Sequence, residues 1–211
     1  MEGEVPIPTE TFALDIPKEG GCSILLAGST RSGKSTALGW LLKKYFSKYI
    51  SVLMTHSPQA DIYKEMDVIQ APNYYPAVIR DMAYINKKTE NKYDFLAVLD
   101  DVVSGIKHDK QILQMLTIYR NSNCSTIMCI QALTLMNSAG RTNVNFVVLF
   151  KFNSDAEIER AVKMYLGSYF PKNWKLLDKM RAYRELTENH YCFIVDNLNG
   201  RVFRSKIPAG E

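Results

Sequence analysis

An apolar segment, Ser23–Ala27, runs directly into a glycine-bounded loop. The loop has the pattern G-x-x-x-x-G-K-[ST], with Gly28, Gly33, Lys34 and Ser35 at its fixed positions. Glycines at both ends let the backbone curl until successive N–H groups point at phosphate oxygens. The pattern therefore predicts a strand, a phosphate-binding loop and a helix, in that order, within an α/β fold.

This loop predicts a nucleoside triphosphate with Mg²⁺ as its ligands. Lys34 is expected to contact the β and γ phosphates, and the Ser35 hydroxyl is expected to ligate Mg²⁺. A glycine turn beside a surface lysine is the alternative, but it requires neither the strand before the loop nor the helix after it. The predicted nucleotide-binding residues are Gly28, Ser29, Thr30, Arg31, Ser32, Gly33, Lys34, Ser35 and Thr36.

A second motif bears on the choice of base. Asn91-Lys-Tyr-Asp94 matches the N-K-x-D pattern that reads guanine in GTPases. In those proteins the pattern follows a strand late in the domain, whereas here it precedes an apolar segment that ends in two acids. We therefore reject GTP specificity and predict ATP.

Length and composition indicate one globular domain. The chain has 211 residues, of which 46% are hydrophobic and 23% are charged, and this length fits a single α/β domain. Residues 1–20 carry three prolines and little periodicity, so we expect an extended N-terminal arm. Residues 21–211 are predicted to form one P-loop ATPase domain, with a helical and hairpin extension over 166–211.

Charge and cysteine spacing limit the classes of partner and compartment. The net charge of +4 permits a polyanionic partner without requiring one. The four cysteines form no C-x-x-C pair, so we expect neither a zinc site nor a disulfide framework. No apolar run approaches the roughly 18 residues of a membrane span, and the acidic N-terminus lacks the regions of a signal peptide. We therefore expect no membrane span and no secretion.

Hydrophobic spacing predicts the other elements. Leu38, Leu41, Leu42 and Tyr45 recur at intervals of three and four, which indicates a helix over 34–46 with one buried stripe. A nearly continuous apolar run from 94 to 99 is typical of a strand buried on both faces of a parallel sheet. The remaining predicted strands are 49–55, 125–131, 145–152 and a hairpin of 191–196 with 201–205, and the remaining predicted helices are 76–88, 109–119, 154–167 and 170–186.

The apolar run ends in Asp100 and Asp101. In P-loop enzymes such a strand ends in an acid that holds Mg²⁺, and an adjacent acid polarises the attacking water. We assign Asp100 to the metal and Asp101 to water activation. Capping of the following helix is the alternative role for Asp101.

A polar residue stands at the end of another apolar strand. Gln131 follows Ser125–Ile130, and a buried amide needs a hydrogen-bonding partner. If this strand lies next to the first, Gln131 faces the γ phosphate and can sense its loss. A hydrogen bond to a nearby loop is the alternative.

A linked series of motifs resembles one family. The series is Gly28–Thr36, Leu99–Asp101, Tyr119–Gln131, Arg141–Asn143 and Phe146–Lys151. An extra strand between the phosphate loop and the paired acids is typical of the additional-strand class of P-loop NTPases. Within that class the chain resembles the FtsK/HerA superfamily, specifically the genome-packaging ATPases of poxvirus-like viruses, giant viruses and virophages. The resemblance implies a mainly parallel central sheet flanked by helices, followed by the C-terminal helical segment and β-hairpin.

In that family the enzyme forms a ring, and an arginine of one subunit contacts the nucleotide of its neighbour. The resemblance carries this role to Arg120, with Arg141 as the second candidate, because a guanidinium neutralises charge on γ-phosphate oxygens. A helix-end or surface ion pair is the alternative for each. The proposed catalytic set is Lys34, Asp101, Gln131, Arg120 and Arg141, and the proposed metal ligands are Ser35 and Asp100.

The chain departs from the family pattern at two positions. Asn121 stands where many relatives have histidine, and Asp101 stands where many have glutamate. The shorter side chain holds its carboxylate about 1.5 Å farther from the water. Efficient hydrolysis is therefore expected to require closure of the ring.

The resemblance implies an ATP-hydrolysing DNA translocase that packages viral double-stranded DNA into a preformed capsid. Its implied partners are DNA, gripped without sequence preference, capsid proteins and further copies of this chain, and Lys107 and Lys110 are candidates for the grip. The implied location is the virus factory in the host cytoplasm and the virion. A nucleotide or nucleoside kinase and a non-catalytic assembly factor shaped by ATP are the alternatives.

Overall fold

A mainly parallel β-sheet forms the centre of the protein. The computed structural model describes residues 7–57, 61–64, 66–102, 109–136 and 138–208, and of residues 61 and 62 only the backbone. The strands are β1 (Ser23–Ala27), β2 (Ile50–Thr55), β3 (Ile69–Ala71), β4 (Phe95–Asp100), β5 (Cys124–Ile130), β6 (Phe146–Leu149), β7 (Tyr191–Asp196) and β8 (Arg201–Lys206). The helices are α1 (Lys34–Tyr45), α2 (Asp61–Lys64), α3 (Pro76–Lys88), α4 (Lys110–Thr117), α5 (Ser138–Thr142), α6 (Asp155–Ala161) and α7 (Leu176–Leu186).

In the described part of the chain, eight strands form one sheet in the order β3-β2-β4-β5-β1-β6-β7-β8. β5 lies between β1 and β4 and is parallel to both, with Ala27 opposite Ile130 and Asp100 opposite Cys129. The carboxyl ends of parallel strands meet at one edge of the sheet. The loop after β1, the acids after β4 and Gln131 after β5 therefore share that edge. This order confirms the predicted α/β fold with an additional strand.

The inner strands β1, β4, β5 and β6 are buried at every position, so the middle of the sheet is covered on both faces. Alternate residues of β1 point to opposite faces: Leu25 and Ala27 belong to one core cluster, and Ile24 and Leu26 belong to the other. Helices α3, α4, α6 and α7 contribute side chains to the first cluster, and α1 contributes to the second. The N-terminal arm contributes Ile7 to the first cluster and Phe12 and Leu14 to the second. The loop between β1 and α1 is thus supported by a rigid, fully packed strand.

Antiparallel strands and the arm complete one side of the sheet. β7 is antiparallel to β6 and to β8, as the predicted hairpin requires. The arm runs beside β8: the Glu10 N–H donates to the Arg204 carbonyl at 2.9 Å, and the Arg204 N–H donates to the Pro8 carbonyl at 2.7 Å. Phe12 of the arm is buried and packs edge-on against Trp40 of α1, with ring centroids 5.0 Å apart.

The structure differs from the sequence prediction in several places. The sequence pattern does not predict β3, α2 and α5, which have 3, 4 and 5 residues. The helix predicted over 170–186 begins only at Leu176. Pro171 disfavours a helical conformation at Phe170, and residues 171–174 form a turn in which the Trp174 N–H donates to the Pro171 carbonyl at 3.1 Å. The helix predicted over 154–167 widens after Ala161 into a π-type turn over Val162–Leu166.

Candidate nucleotide site

Glycine is needed at both fixed positions of the phosphate loop, for different reasons. The Gly28 N–H donates to the Ile130 carbonyl at 3.1 Å, which fixes the start of the loop against β5. A β-carbon on Gly28 would lie 2.6 Å from Cβ of Phe150, so the position has no room for a side chain. Gly33 has φ +107°, a conformation that side chains disfavour, and it turns the backbone into α1. The sequence motif thus has its expected backbone geometry.

Lys34 lies inside the loop. Its Nζ donates hydrogen bonds to the carbonyl oxygens of Gly28 at 2.7 Å and Ser29 at 2.8 Å, and the residue is only 9% exposed. Burial lowers the pKa of Lys34, while the nearby negative charges of Asp100 and Asp101 act in the opposite direction. The ammonium group therefore interacts electrostatically with both acids at the end of β4, and the two halves of the predicted site meet.

Asp100 is a buried carboxylate, with 7% exposure. Its Oδ2 accepts a hydrogen bond from the Tyr63 hydroxyl of α2. Burial raises the pKa of Asp100, and the charge of Asp101 adds to this effect. Hydrogen bonds from Tyr63 and Cys129 and the charge of Lys34 lower the pKa, without cancelling the effect of burial. A cation beside Asp100 would stabilise its ionised form.

The donor set fits a magnesium ion. Mg²⁺ prefers oxygen ligands and is commonly held by one or two protein groups together with waters and substrate phosphates. The Asp100 carboxylate ends β4, and the Ser35 hydroxyl lies on the first turn of α1. These are the residues that would hold the ion, which would neutralise charge on the β and γ phosphates.

Asp101 and Gln131 form a pair at the open edge of the sheet. The Gln131 Nε2 donates to Oδ1 of Asp101 at 2.9 Å, and both residues are exposed. Asp101 has φ +59°, a strained conformation of the kind found at functional sites. The next described helix, α4, is capped by Asp109, whose Oδ1 accepts from the Gln111 N–H at 2.6 Å. Water activation by Asp101 and phosphate sensing by Gln131 stay predictions.

Arg120 precedes β5 and lies at the amino ends of the central parallel strands, whereas the phosphate loop lies at their carboxyl ends. Its carbonyl accepts a hydrogen bond from the Gly21 N–H at 2.6 Å, and its charge lowers the pKa of Cys22, although burial raises that pKa more strongly. Both neighbours precede β1, and the five residues of β1 span about 16 Å at about 3.3 Å per residue. The Nε of Arg120 is buried and has no partner among the described residues. Arg120 is therefore remote from its own chain's phosphate loop.

Arg141 has contacts that give it a structural role within its own chain. Its Nη1 donates to the carbonyl oxygens of Leu133 at 2.9 Å and Met136 at 2.5 Å, in the turn that follows β5. The Leu133 N–H in turn donates to Glu157 at 2.6 Å. A contact between Arg141 and the nucleotide of another subunit stays a prediction.

Sequence reasoning missed Tyr63 as a residue of this site. It is 4% exposed, and its carbonyl accepts a hydrogen bond from Nε2 of Gln70 at 3.1 Å. Burial raises the pKa of Tyr63, and the hydrogen bond to Asp100 raises it further, so the hydroxyl stays a donor. A four-residue helix has no recognisable period, so no signal in the sequence indicates this contact.

The two candidate DNA-gripping lysines have different outcomes. Lys107 lies outside the described residues. Lys110 is the first residue of α4 and is exposed. An exposed ammonium at this position is available to a phosphate backbone, but its role as a DNA contact stays a prediction.

The fold and the site together define a class of protein. A phosphate loop after β1, an acid pair after β4 and a glutamine after the inserted β5 are the parts of an ATP-hydrolysing site of the additional-strand type. The protein is a P-loop ATPase. Residues 12–205 match the family described as Poxvirus A32 protein, so the chain belongs to that family. The match confirms the resemblance inferred from the motif series. No curated protein sequence matches the chain.

Solved structures share the fold. The genome packaging NTPase B204 from Sulfolobus turreted icosahedral virus 2, in complex with AMP, has a TM-score of 0.64 at 14% identity, over 90% of this chain and 98% of that chain. EssC (ATPases 2 and 3) from Geobacillus thermodenitrificans has a TM-score of 0.62 at 13% identity, over 92% of this chain and 40% of that chain. Identities this low establish similarity of fold alone.

Two further observations concern the described residues as a whole. No helix among them combines the length and the hydropathy that a bilayer crossing needs. All four cysteines are buried and free of disulfide bonds, and burial raises the pKa of each thiol.

Proposed function

We propose that this protein is an ATP-driven motor that moves viral double-stranded DNA into a preformed capsid, acting as a homo-oligomeric ring. The observation that carries the proposal is the meeting of Lys34, Asp100 and Asp101 at one sheet edge, with Gln131 bonded to Asp101. These are the groups that one subunit would contribute to hydrolysis, and the chain is a member of the poxvirus A32 family. The similar B204 is described as a genome packaging NTPase, which supports the same role here.

The residues of the site suggest how hydrolysis proceeds. Lys34 exchanges its hydrogen bonds with the Gly28 and Ser29 carbonyls for oxygens of the β and γ phosphates. Asp101 orients the attacking water and accepts its proton as the water oxygen bonds to the γ phosphorus. The bond to the β-phosphate oxygen breaks, and ADP and inorganic phosphate are the products. Bound magnesium supplies charge neutralisation at the phosphates.

The Asp101–Gln131 hydrogen bond suggests how hydrolysis is coupled to movement. Gln131 follows β5, which lies between the strand of the acids and the strand of the phosphate loop. Loss of the γ phosphate changes what Asp101 bonds to, and its partner Gln131 transmits that change to the segment after β5. Loops that face a central pore would then shift and move DNA by contacts with its phosphates, which carry no sequence information.

The position of Arg120 supports a site shared between subunits. The residue lies at the sheet edge opposite to its own phosphate loop, so it cannot reach the nucleotide bound there. In a head-to-tail ring this edge of one subunit would face the nucleotide edge of the next. Capsid proteins would then anchor the ring, at the virus factory in the host cytoplasm and on the virion.

Phosphate release with and without DNA tests the proposal. Purified protein should release inorganic phosphate from ATP slowly, and linear double-stranded DNA of any sequence should raise the rate together with oligomerisation. A phosphorylated nucleoside as the product would indicate a kinase. Equal hydrolysis by a monomer without DNA would overturn the motor.

A subunit-mixing experiment tests the shared site. Arg120→Ala and Lys34→Ala subunits should each be inactive alone, whereas their mixture should recover turnover, because a Lys34→Ala subunit still offers Arg120 to an intact neighbouring loop. Arg80→Ala is the matched control, since Arg80 is exposed and ion-paired with Asp81. A mixture no more active than its separate parts would contradict an arginine acting between subunits.

A further inference from the structure

The turn that precedes β7 lies against the phosphate loop. Because β7 is antiparallel to β6, it begins at the sheet edge where β6 and β1 end. The last residue of the turn is His190, whose Nδ1 lies 3.9 Å from the point where a β-carbon on Gly33 would stand. His190 is exposed. An aromatic ring with a solvent-accessible face therefore stands beside the loop that is expected to hold the phosphates.

Hydrogen bonds tie this turn to the phosphate loop. Glu188 forms an ion pair with Nζ of Lys151 at 2.7 Å, and the Lys151 carbonyl accepts from the Ser29 N–H at 3.0 Å. Asn189 and His190 have φ values of +55° and +64°, a left-handed turn conformation in which asparagine and histidine are enriched among residues other than glycine. The turn is closed by the Tyr191 N–H, which donates to the Glu188 carbonyl at 3.1 Å. The backbone that carries His190 is thus tied to the segment against which the phosphate loop lies.

The sheet order fixes which part of a nucleotide comes near this turn. The γ phosphate must face Asp100, Asp101 and Gln131, which end or follow β4 and β5. The phosphate loop follows β1, and the turn with His190 lies on the far side of β1, beyond β6. A nucleotide whose terminal phosphate points toward β4 therefore extends its nucleoside toward β6 and β7.

We infer that His190 stacks on the base of bound ATP and is a nucleoside-binding residue of this site. An imidazole is planar, and a base offers its π-face to an aromatic side chain whatever its hydrogen-bonding edge. His190 would therefore strengthen binding of the nucleoside and leave the affinity for the phosphate chain unchanged. This inference rests on the proposed function, since it concerns the same ATP site.

Calorimetric titration with two probes tests the inference. The probes are a non-hydrolysable ATP analogue and inorganic tripolyphosphate, both with Mg²⁺. His190→Ala should bind the ATP analogue about tenfold more weakly, as expected for loss of one stacking partner. Its affinity for tripolyphosphate should be unchanged. His190→Phe keeps a stacking ring and should retain near wild-type affinity for both probes.

His56→Ala is the matched control, because His56 is also exposed but follows β2, on the other side of the acid pair. It should bind both probes like the wild type. Unchanged binding of the ATP analogue by His190→Ala would overturn the inference, and so would an equal loss for both probes or a His190→Phe variant as weak as His190→Ala. Failure of the wild-type protein to bind either probe would instead overturn the proposed function itself.

Discussion

Among single residues, Asp100 is the one whose ionised side chain is most disfavoured by burial in the site. The sheet buries this carboxylate at the end of an apolar strand, and burial raises its pKa despite hydrogen bonds from Tyr63 and Cys129 and the charge of Lys34. If Asp100 holds Mg²⁺, as the sequence predicts, the cation would compensate for the desolvation that folding imposes on this carboxylate.

The raised pKa of Asp100 gives a prediction about stability and pH. The unfolded chain releases this proton more readily than the folded chain, so Asp100 weakens the metal-free protein as pH rises above its unfolded pKa. Asp100→Asn should therefore raise Tm at pH 7.5 in EDTA, and the gain should shrink near pH 4. Thermal unfolding at both pH values checks this. An Asp100→Asn variant less stable than wild type at pH 7.5 would contradict it.

The hydrogen bond from Tyr63 to Asp100 predicts that loss of the Tyr63 hydroxyl weakens Mg²⁺ binding. Its hydroxyl fixes the Asp100 carboxylate, and removal of such a supporting hydrogen bond lowers metal affinity or activity by about tenfold or more. Tyr63→Phe should need about tenfold more Mg²⁺ for half-maximal ATP binding, measured by fluorescence titration. Tyr84→Phe, at an exposed tyrosine, serves as the control. The same Mg²⁺ requirement in Tyr63→Phe and wild type would disprove a positioning role.

Among the elements, β5 and the end of β6 pack against the start of the phosphate loop and so determine its backbone conformation. The loop starts against β5, and Phe150, the residue after β6, blocks any side chain at Gly28. The ring of Phe150 is fully buried and its Cβ belongs to a segment continuous with the sheet, so it cannot move aside. The glycine at position 28 is thus required by the packing of Phe150, which follows β6.

A pair of glycine substitutions tests this dependence. Gly28→Ala should destabilise the protein by about 1–3 kcal/mol through overpacking and should abolish measurable ATP binding, because the loop must shift. Gly200→Ala adds a β-carbon in open space at φ +64°, so it should cost about 1 kcal/mol and leave ATP binding intact. Urea unfolding and nucleotide titration separate the two. Wild-type ATP affinity in Gly28→Ala would show that the phosphate loop tolerates a β-carbon at this position.

The long elements of the fold could be predicted from the sequence, and the short ones could not. β1 and β4 are nearly continuous apolar runs, and β5 is apolar from Ile127 onward. The predicted helix 76–88 has the observed bounds because Pro76 marks its first turn. α2 depends on tertiary contacts of Tyr63 and Gln70, which leave no periodic trace in the sequence. Lys34, Asp100, Asp101 and Gln131 were predictable because motif and strand ends indicate them.

At the scale of the whole molecule, the N-terminal arm joins distant parts of the domain. It pairs with β8 at one end and packs Phe12 against Trp40 of α1, the helix that starts at the phosphate loop. The Leu14 N–H also donates to the Tyr45 hydroxyl at 2.9 Å. The arm therefore braces the helix whose first turn holds Lys34 and Ser35.

Phe12→Ala tests this bracing. Phe12 is 2% exposed, and truncation of a buried phenylalanine costs about 3–5 kcal/mol. The urea midpoint should fall accordingly. Leu177→Ala, at a residue that is 73% exposed, should change it little. Equal midpoints for Phe12→Ala and wild type would show that the arm is not part of the folded core.

The central claim is that the loop after β1 and the acids after β4 act together on one bound ATP. The most direct test measures single-turnover phosphate release and Mg·ATP affinity in Asp101→Asn. This variant should bind Mg·ATP as the wild type does and release almost no phosphate, since a side-chain amide in place of the carboxylate accepts no proton from water. Wild-type phosphate release by Asp101→Asn would contradict the claim.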